Sequence, residues 1–352
     1  MEPSDLVLQQ QPDGTFFYCR SHSTNLLRLA NQITKSYPSK IPRETLITPS
    51  GMAAISIVAN VLLKEHMKHQ VNLIYAQELY CDSPRLFKYL KSIYNMGLYT
   101  FDYADPSSLN TVFDSPEVRG CVNILFFEAA SNPSGNIFDY SLIKKLRHVS
   151  RKLYVVVDNT WLTHVIFNPF DHDVDVVVTS LTKYYSAGRC IAGAIITSSK
   201  LYRKFLDYIR FNGFHVSPIH CDMIYKAMEN MEDRIIAASK IATEVARFLS
   251  EKEEFAVRHA SLPDDPSHER AKEMYRCKGH ETLYPPIIAF VVPMPKQQAI
   301  EWMRSKEIPY LTSYGSAESR FDPWPVEHDG KTRCRLSIGY EDKSERLIKE
   351  LV

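Results

Sequence analysis

Lys183 stands in TSLTKY, residues 179–184, directly after the apolar run 174–178. An ammonium at the end of a buried strand is poorly solvated, so its pKa falls. The neutral amine can then form a Schiff base. Asp158 follows a second apolar run, 153–157, and opens DNTW. A carboxylate there needs a partner, because an unpaired buried charge is costly; a helix cap or a protonated ring nitrogen would serve. After a third run, 46–48, comes Pro49-Ser50-Gly51-Met52. A glycine at a helix N-terminus lets backbone N–H groups approach a phosphate. Taken singly, each feature has an ordinary alternative: a solvated loop lysine, a helix cap, a strand–turn–helix junction. Together they describe a pyridoxal-phosphate (PLP) site: a phosphate holder, a partner for the pyridinium and an imine-forming lysine. The separation from Asp158 to Lys183 is about one crossover between neighbouring parallel strands.

These groups need a frame that carries them at strand ends. The apolar runs 46–48, 73–76, 122–127, 153–157, 174–178 and 191–197 are mostly rich in Val and Ile and do not alternate, as in strands buried on both faces. Residues 52–64 are apolar almost all round and predict a buried helix; 141–152 are amphipathic. The alternation predicts an α/β core, a mostly parallel sheet flanked by helices. Ligands in such sheets bind at the carboxyl ends of the strands. From 222 to 254 the chain is polar, helical in pattern and free of Pro and Gly, as one long helix or two abutting ones. A smaller α+β C-terminal domain follows, with strands near 287–292 and 333–338, a helix near 297–305 and a last helix from Ser344. The stretch 261–286 reads as a polar loop. The expected division is an N-terminal arm at 1–40, a large cofactor domain at 41–225 and a C-terminal domain at 226–352.

Composition bounds the partners. The 352 residues carry 42 Lys and Arg against 41 Asp and Glu, a formal net charge of +1, which argues against a general nucleic-acid binder. Seven scattered cysteines without a CxxC pair fit a reducing compartment. No signal pattern opens the sequence and no apolar run reaches membrane-spanning length, so a cytoplasmic protein is expected. His215, His220 and Cys221 match no standard zinc spacing, and no metal is expected.

SGMAA at 50–54, LYCDSPRLF at 79–87, EAASNP at 128–133, VDNTW at 157–161, VVTSLTKYY at 177–185 and RLSIG at 335–339 resemble the Cys/Met-metabolism PLP enzymes. That family holds the cystathionine γ-synthases, γ-lyases and β-lyases, the methionine γ-lyases and the O-acylhomoserine sulfhydrylases. The resemblance runs from about residue 16 to the C-terminus and implies the PLP-dependent transferase fold type I. It also implies roles. Lys183 is the imine lysine and moves protons between carbons, and Asp158 faces the pyridine nitrogen. Gly51 and Met52 offer N–H groups, and Ser180 and Thr182 hydroxyls, to the phosphate. Tyr80 stacks on the cofactor ring and assists proton transfer, and Asn132 lies near the cofactor's phenolic oxygen and the substrate. Arg335 grips the substrate carboxylate, with Ser313 beside it. Tyr18 and Arg20 reach the phosphate from a neighbouring subunit, which makes a homodimer, or a dimer of dimers, with shared sites.

The sequence departs from the family pattern in places. The arm before Tyr18 is short, which favours dimer over tetramer. Asp82 and Pro84 replace a glycine-containing loop after Tyr80, Arg189 adds a charge after Lys183, and Thr312 stands where many cystathionine enzymes carry Glu. The expected activity is transsulfuration of a small amino acid at Cγ, by replacement or elimination on a homoserine ester, cystathionine or methionine. The alternatives are β-elimination from cystathionine and a non-catalytic relative of the same fold.

Overall fold

The computed structural model describes residues 23–278 and 281–351, with the paired two-residue strands Gln9–Gln10 and Phe16–Phe17 before them. Seven strands make the main sheet: β1 (Arg43–Thr48), β2 (Val71–Ala76), β3 (Met96–Phe101), β4 (Val122–Glu128), β5 (Lys152–Asp158), β6 (Val176–Ser180) and β7 (Gly193–Ser198). Their spatial order is β1-β7-β6-β5-β4-β2-β3. All neighbours are parallel except at β7, which is antiparallel to both β1 and β6. Every residue of β2 and β4 is buried, as non-alternating apolar strands require. The edge strand β3 was not apparent in the sequence: its pattern MGLYTF is half-exposed and carries a glycine.

Helices cover both faces. α1 (Thr24–Ser36) and α2 (Gly51–Glu65) flank β1, and α3 (Asp82–Ile93), α4 (Pro106–Asp114) and α5 (Leu142–Val149) follow β2, β3 and β4. The Ser50 side chain caps α2 by accepting from the Ala53 amide at 3.0 Å. The helix then buries Ala54, Ile55, Ile57, Val58, Val61, Leu62 and Leu63. The crossover from β5 to β6 is shorter than a full helix, holding only the turn Thr163–Ile166 and the 3₁₀ turn Pro169–His172. In the core, Phe127 is fully buried and stacks on Phe138 with centroids 4.0 Å apart. Such a ring contributes about 1.5–3 kcal/mol through burial.

Beyond α6 (Ser199–Asn212) the predicted polar helix is two helices, α7 (Pro218–Ala227) and α8 (Met231–Ser250), joined by a 3₁₀ turn, Met228–Asn230. α8 touches two hydrophobic clusters. Met231 and Ile235 pack into the core of the large sheet, whereas Ala238, Ala242, Val245 and Leu249 pack under a smaller antiparallel sheet. That sheet contains β8 (Ala256–Arg258), β9 (Ile287–Val292), β10 (Arg320–Phe321), β11 (Val326–His328) and β12 (Lys331–Ser337). β12 is its centre, pairing with β9, β10 and β11. The helices Lys296–Arg304 and Ser344–Leu351 complete this part. The stretch read as a loop, 261–286, contains the helix His268–Met274 and a small hairpin of Cys277–Lys278 with Glu281–Thr282. A mostly parallel sheet flanked by helices, with a smaller sheet domain after it, is the expected fold class.

Candidate active site

Three adjacent parallel strands deliver charged groups to one rim. Glu128 ends β4, Asp158 ends β5 directly opposite it in register, and Ser180 ends β6 three residues before Lys183. Asp158 Oδ1 accepts from the Thr160 amide at 2.9 Å and from the Thr160 hydroxyl at 2.5 Å. Thr160 Oγ1 also accepts from the Ser180 amide at 2.7 Å, so one hydroxyl ties the two strand ends together. Asp158 Oδ2 has no hydrogen-bond partner among the described residues. Burial pushes the Asp158 carboxyl up to about 6, against the pull of the Thr160 hydrogen bonds. Burial, and then the charge of Asp158, hold Glu128 well above the ordinary carboxylate range. Its Oε1 accepts from the Tyr80 amide at 2.5 Å.

Lys183 Nζ donates to Ser313 Oγ at 2.9 Å and lies 5.0 Å from the centroid of Tyr314. Burial, followed by the cations Arg335 and Arg320, lowers its pKa to about 8. Ser313 meets it in a left-handed backbone conformation, φ 85°, uncommon for a residue with a side chain. Gly315 follows at φ 83°, where a Cβ would lie 2.7 Å from the Tyr184 amide nitrogen. Only glycine lets this loop come so close to the lysine segment.

Arg335, on β12, is buried. Its Nη1 donates to Asn132 Oδ1 at 2.9 Å, its Nη2 pairs with Asp322 at 2.9 Å, and its Nε is buried without a partner. Lys183–Ser313 and Arg335–Asn132 are thus two hydrogen-bonded pairs that share the Tyr314 ring, 5.0 Å from Lys183 Nζ and 5.8 Å from the Arg335 guanidinium carbon, and Thr160 links Asp158 with Ser180. Tyr80 is 42% exposed at the rim. Burial and then Asp82 raise its phenol above the usual value, so it is protonated at neutral pH. Asp82 itself pairs with Arg85 at 3.0 Å in the first turn of α3.

The anion-binding end also takes shape. Among the described residues the Gly51 and Met52 amides have no acceptor, as expected of a first helical turn. A Cβ on Gly51 would lie 2.9 Å from Ser180 Cβ, so this turn abuts the end of β6. The Ser180 hydroxyl has no hydrogen-bond partner among the described residues. The Thr182 hydroxyl, expected to face the phosphate, is engaged by the Ala192 backbone: it donates to the carbonyl at 3.2 Å and accepts from the amide at 3.1 Å. It braces the segment after Lys183. Tyr18 and Arg20 lie outside the described residues. Among the described residues no cluster of His, Cys, Asp or Glu could hold a metal, and no helix is long and apolar enough to cross a membrane.

Sequence reasoning assigned no role to Glu128, Arg320, Tyr314 or Asp322. Glu128 was within reach, since it ends a buried apolar strand just as Asp158 does. Asp322 has no such local signal.

The donor set fits PLP: free amides and a hydroxyl for an anion, a carboxylate oxygen for a ring N–H, and an amine of lowered basicity for an aldehyde. This fold and this site define the PLP-dependent enzymes in which a mostly parallel sheet carries the cofactor groups and a smaller sheet domain follows it. A family model described as Cys/Met metabolism PLP-dependent enzyme matches residues 2–347, and the chain belongs to that family. Its cofactor is pyridoxal 5′-phosphate. The cystathionine beta-lyase of Neurospora crassa is 27% identical over 346 residues, covering 95% of this chain and 72% of that protein. The cystathionine gamma-lyase of Dictyostelium discoideum is 25% identical over 364 residues, covering 99% and 88%. The match to the cystathionine beta-lyase of Schizosaccharomyces pombe, 26% identical, spans 68% of this chain and 59% of that protein. In fold, the chain is similar to cystathionine gamma synthase from Xanthomonas oryzae pv. oryzae, crystallised with aminoacrylate and cysteine: TM-score 0.81, 21% identity, covering 97% and 89%. A methionine gamma lyase from Micromonospora echinospora gives TM-score 0.80 at 20% identity, covering 97% and 88%.

Proposed function

We propose that this protein acts on a sulfur-containing amino acid or homoserine ester at Cγ, by replacement or elimination. The observation that carries the reading is the placement of Lys183. It is tethered to Ser313, close to Arg335 and lowered to about 8, so that about one amine in ten is neutral at pH 7. A neutral amine can take a proton, and its protonated form can return one to the next carbon. Chemistry at Cγ needs protons removed at both Cα and Cβ before the γ substituent leaves, and one tethered, titrating amine is suited to both.

When bound, PLP supplies an electron sink for the pair left at the substrate Cα. The other roles belong to the chain. Arg335 binds the substrate carboxylate and orients the amino acid, with Asn132 holding one side of its guanidinium. Asp158 offers its free oxygen to the ring N–H. The amides of Gly51 and Met52 and the Ser180 hydroxyl bind the phosphate. Tyr80, protonated at neutral pH, gives a proton to the departing group.

β-Elimination is the competing reading. Cystathionine beta-lyases stand among the relatives at the same level of identity as the γ-acting ones. Incubation with O-acylhomoserine, cystathionine and methionine, each with and without cysteine, separates the two by product. Deuterium from solvent at both Cα and Cβ of a slow substrate analogue supports γ chemistry. Exchange at Cα alone, with rapid release of pyruvate from a β-substituted amino acid, overturns it.

A further inference from the structure

Arg335, read above as the anchor for the substrate carboxylate, already holds a carboxylate. Asp322 Oδ1 lies 2.9 Å from Nη2, and the two side chains are only 15% and 9% exposed. The contact is built into the sheet. β10 pairs with β12 through Arg320 opposite Ser337 and Phe321 opposite Leu336, which brings Asp322 opposite Arg335. The Asp322 amide donates to the Arg335 carbonyl at 3.0 Å, so backbone as well as side chain fixes the pair. Asn132 takes Nη1, leaving Nε as the buried, unpartnered N–H of the fork. Burial raises the Asp322 pKa, while Arg335 and then Lys183 pull it down.

We propose that Asp322 is a stand-in for the substrate carboxylate. It keeps the guanidinium oriented while no amino acid is bound, and it competes for the same positive charge when one arrives. Two carboxylates on one guanidinium repel each other in a poorly solvated corner, where such charges interact far more strongly than in water. Asp322 thereby weakens the grip on every ligand that uses Arg335 and sets the substrate affinity. This rests on Arg335 being the carboxylate anchor.

The test uses the cofactor-loaded protein and two probes without an amino group. One is 4-methylsulfanylbutanoate, which has a carboxylate; the other is its neutral amide, 4-methylsulfanylbutanamide. Binding is read by titration calorimetry and by the change in cofactor absorbance. Asp322→Asn keeps an oxygen toward Arg335 and removes the charge. It should lower the Kd of the butanoate about fivefold to twentyfold, leave that of the amide unchanged, and lower KM with kcat within about twofold. A butanoate Kd that is unchanged or raised overturns the competition. Asp322→Ala also removes the oxygen and should give a higher butanoate Kd than Asp322→Asn; equal values overturn the orienting role. Arg335→Ala should abolish the preference for butanoate over amide. If that preference survives, the anchor reading itself fails, a result distinct from either outcome at Asp322.

Discussion

The strand ends of the large sheet and the rim supplied by the C-terminal domain both bring charged groups to the site, and they prepare them differently. Asp158, Glu128 and Lys183 sit at or just beyond strand ends with no salt bridge among them. Each is moved from its ordinary pKa chiefly by burial, and each toward its neutral form. On β12, Arg335 and Arg333 are paired instead, with Asp322 at 2.9 Å and with Glu78 at 3.0 Å. Glu78 in turn accepts from the Ser131 and Ser134 hydroxyls at 2.8 Å each. Lys183, the group proposed to gain and lose a proton, is left without a salt bridge in a poorly solvated place. A group that must hold a fixed charge in a fixed direction is paired and braced. The Lys183–Ser313 hydrogen bond joins the two regions.

The largest effect belongs to the first region. Lys183→Ala should leave the fold intact and reduce turnover by about four orders of magnitude, measured as product formation from the best substrate. Borohydride reduction of the wild type followed by peptide mapping should place the pyridoxyl group on Lys183; a label on any other lysine breaks the assignment. In the second region, Arg335→Lys keeps the charge and loses the fork. It should cost about 2–4 kcal/mol in kcat/KM, roughly 30-fold to 1,000-fold, with the cofactor absorbance unchanged. A loss below tenfold would mean that charge alone suffices at the rim. At the junction, Ser313→Ala frees the lysine without altering its charge. It should lower kcat about tenfold with little change in KM; a change confined to KM would place Ser313 with the substrate rather than with Lys183.

The two regions were not equally legible in the sequence. Asp158 and Lys183 each follow a buried apolar strand, and a polar group there is conspicuous because its surroundings are local. The strand–turn–helix at Gly51 reads the same way, whereas the Ser50 cap is seen only in the structure. Arg335 was found through its RLSIG context, but its partner Asp322 was not. What gives Asp322 its meaning is the pairing of a two-residue strand, Arg320–Phe321, with Lys331–Ser337, and two residues carry no periodicity. Arg320, the first residue of that short strand, is in the same position, and so is Tyr314, on a loop whose course depends on the left-handed turn at Ser313 and Gly315. Thr182 shows the converse. It immediately precedes Lys183, yet its hydroxyl serves the backbone of Ala192, ten residues on, which no local pattern announces.

The smallest effect tests whether burial at the strand ends has a cost. Asp158 is raised from 3.8 to about 6, with burial as the first cause. The folded state therefore binds this proton more tightly than the unfolded chain does. Stability linked to Asp158 is fully present below the unfolded value, near 4, and is lost as pH rises through about 6. Above that pH the cofactor-free protein carries a buried charge that Lys183 and Thr160 offset only in part. Asp158→Asn removes the charge and keeps an oxygen toward Thr160. In the cofactor-free protein its melting temperature should exceed that of the wild type by roughly 2–6 °C at pH 7.5 and by little at pH 4. With PLP bound the order should reverse, because the carboxylate then has a ring N–H to pair with. Scanning calorimetry of both proteins, with and without cofactor, measures all four values. If the cofactor-free Asn variant melts below the wild type at pH 7.5, the Thr160 hydrogen bonds outweigh burial, and Asp158 belongs with the braced groups of the rim rather than with the strained ones of the sheet.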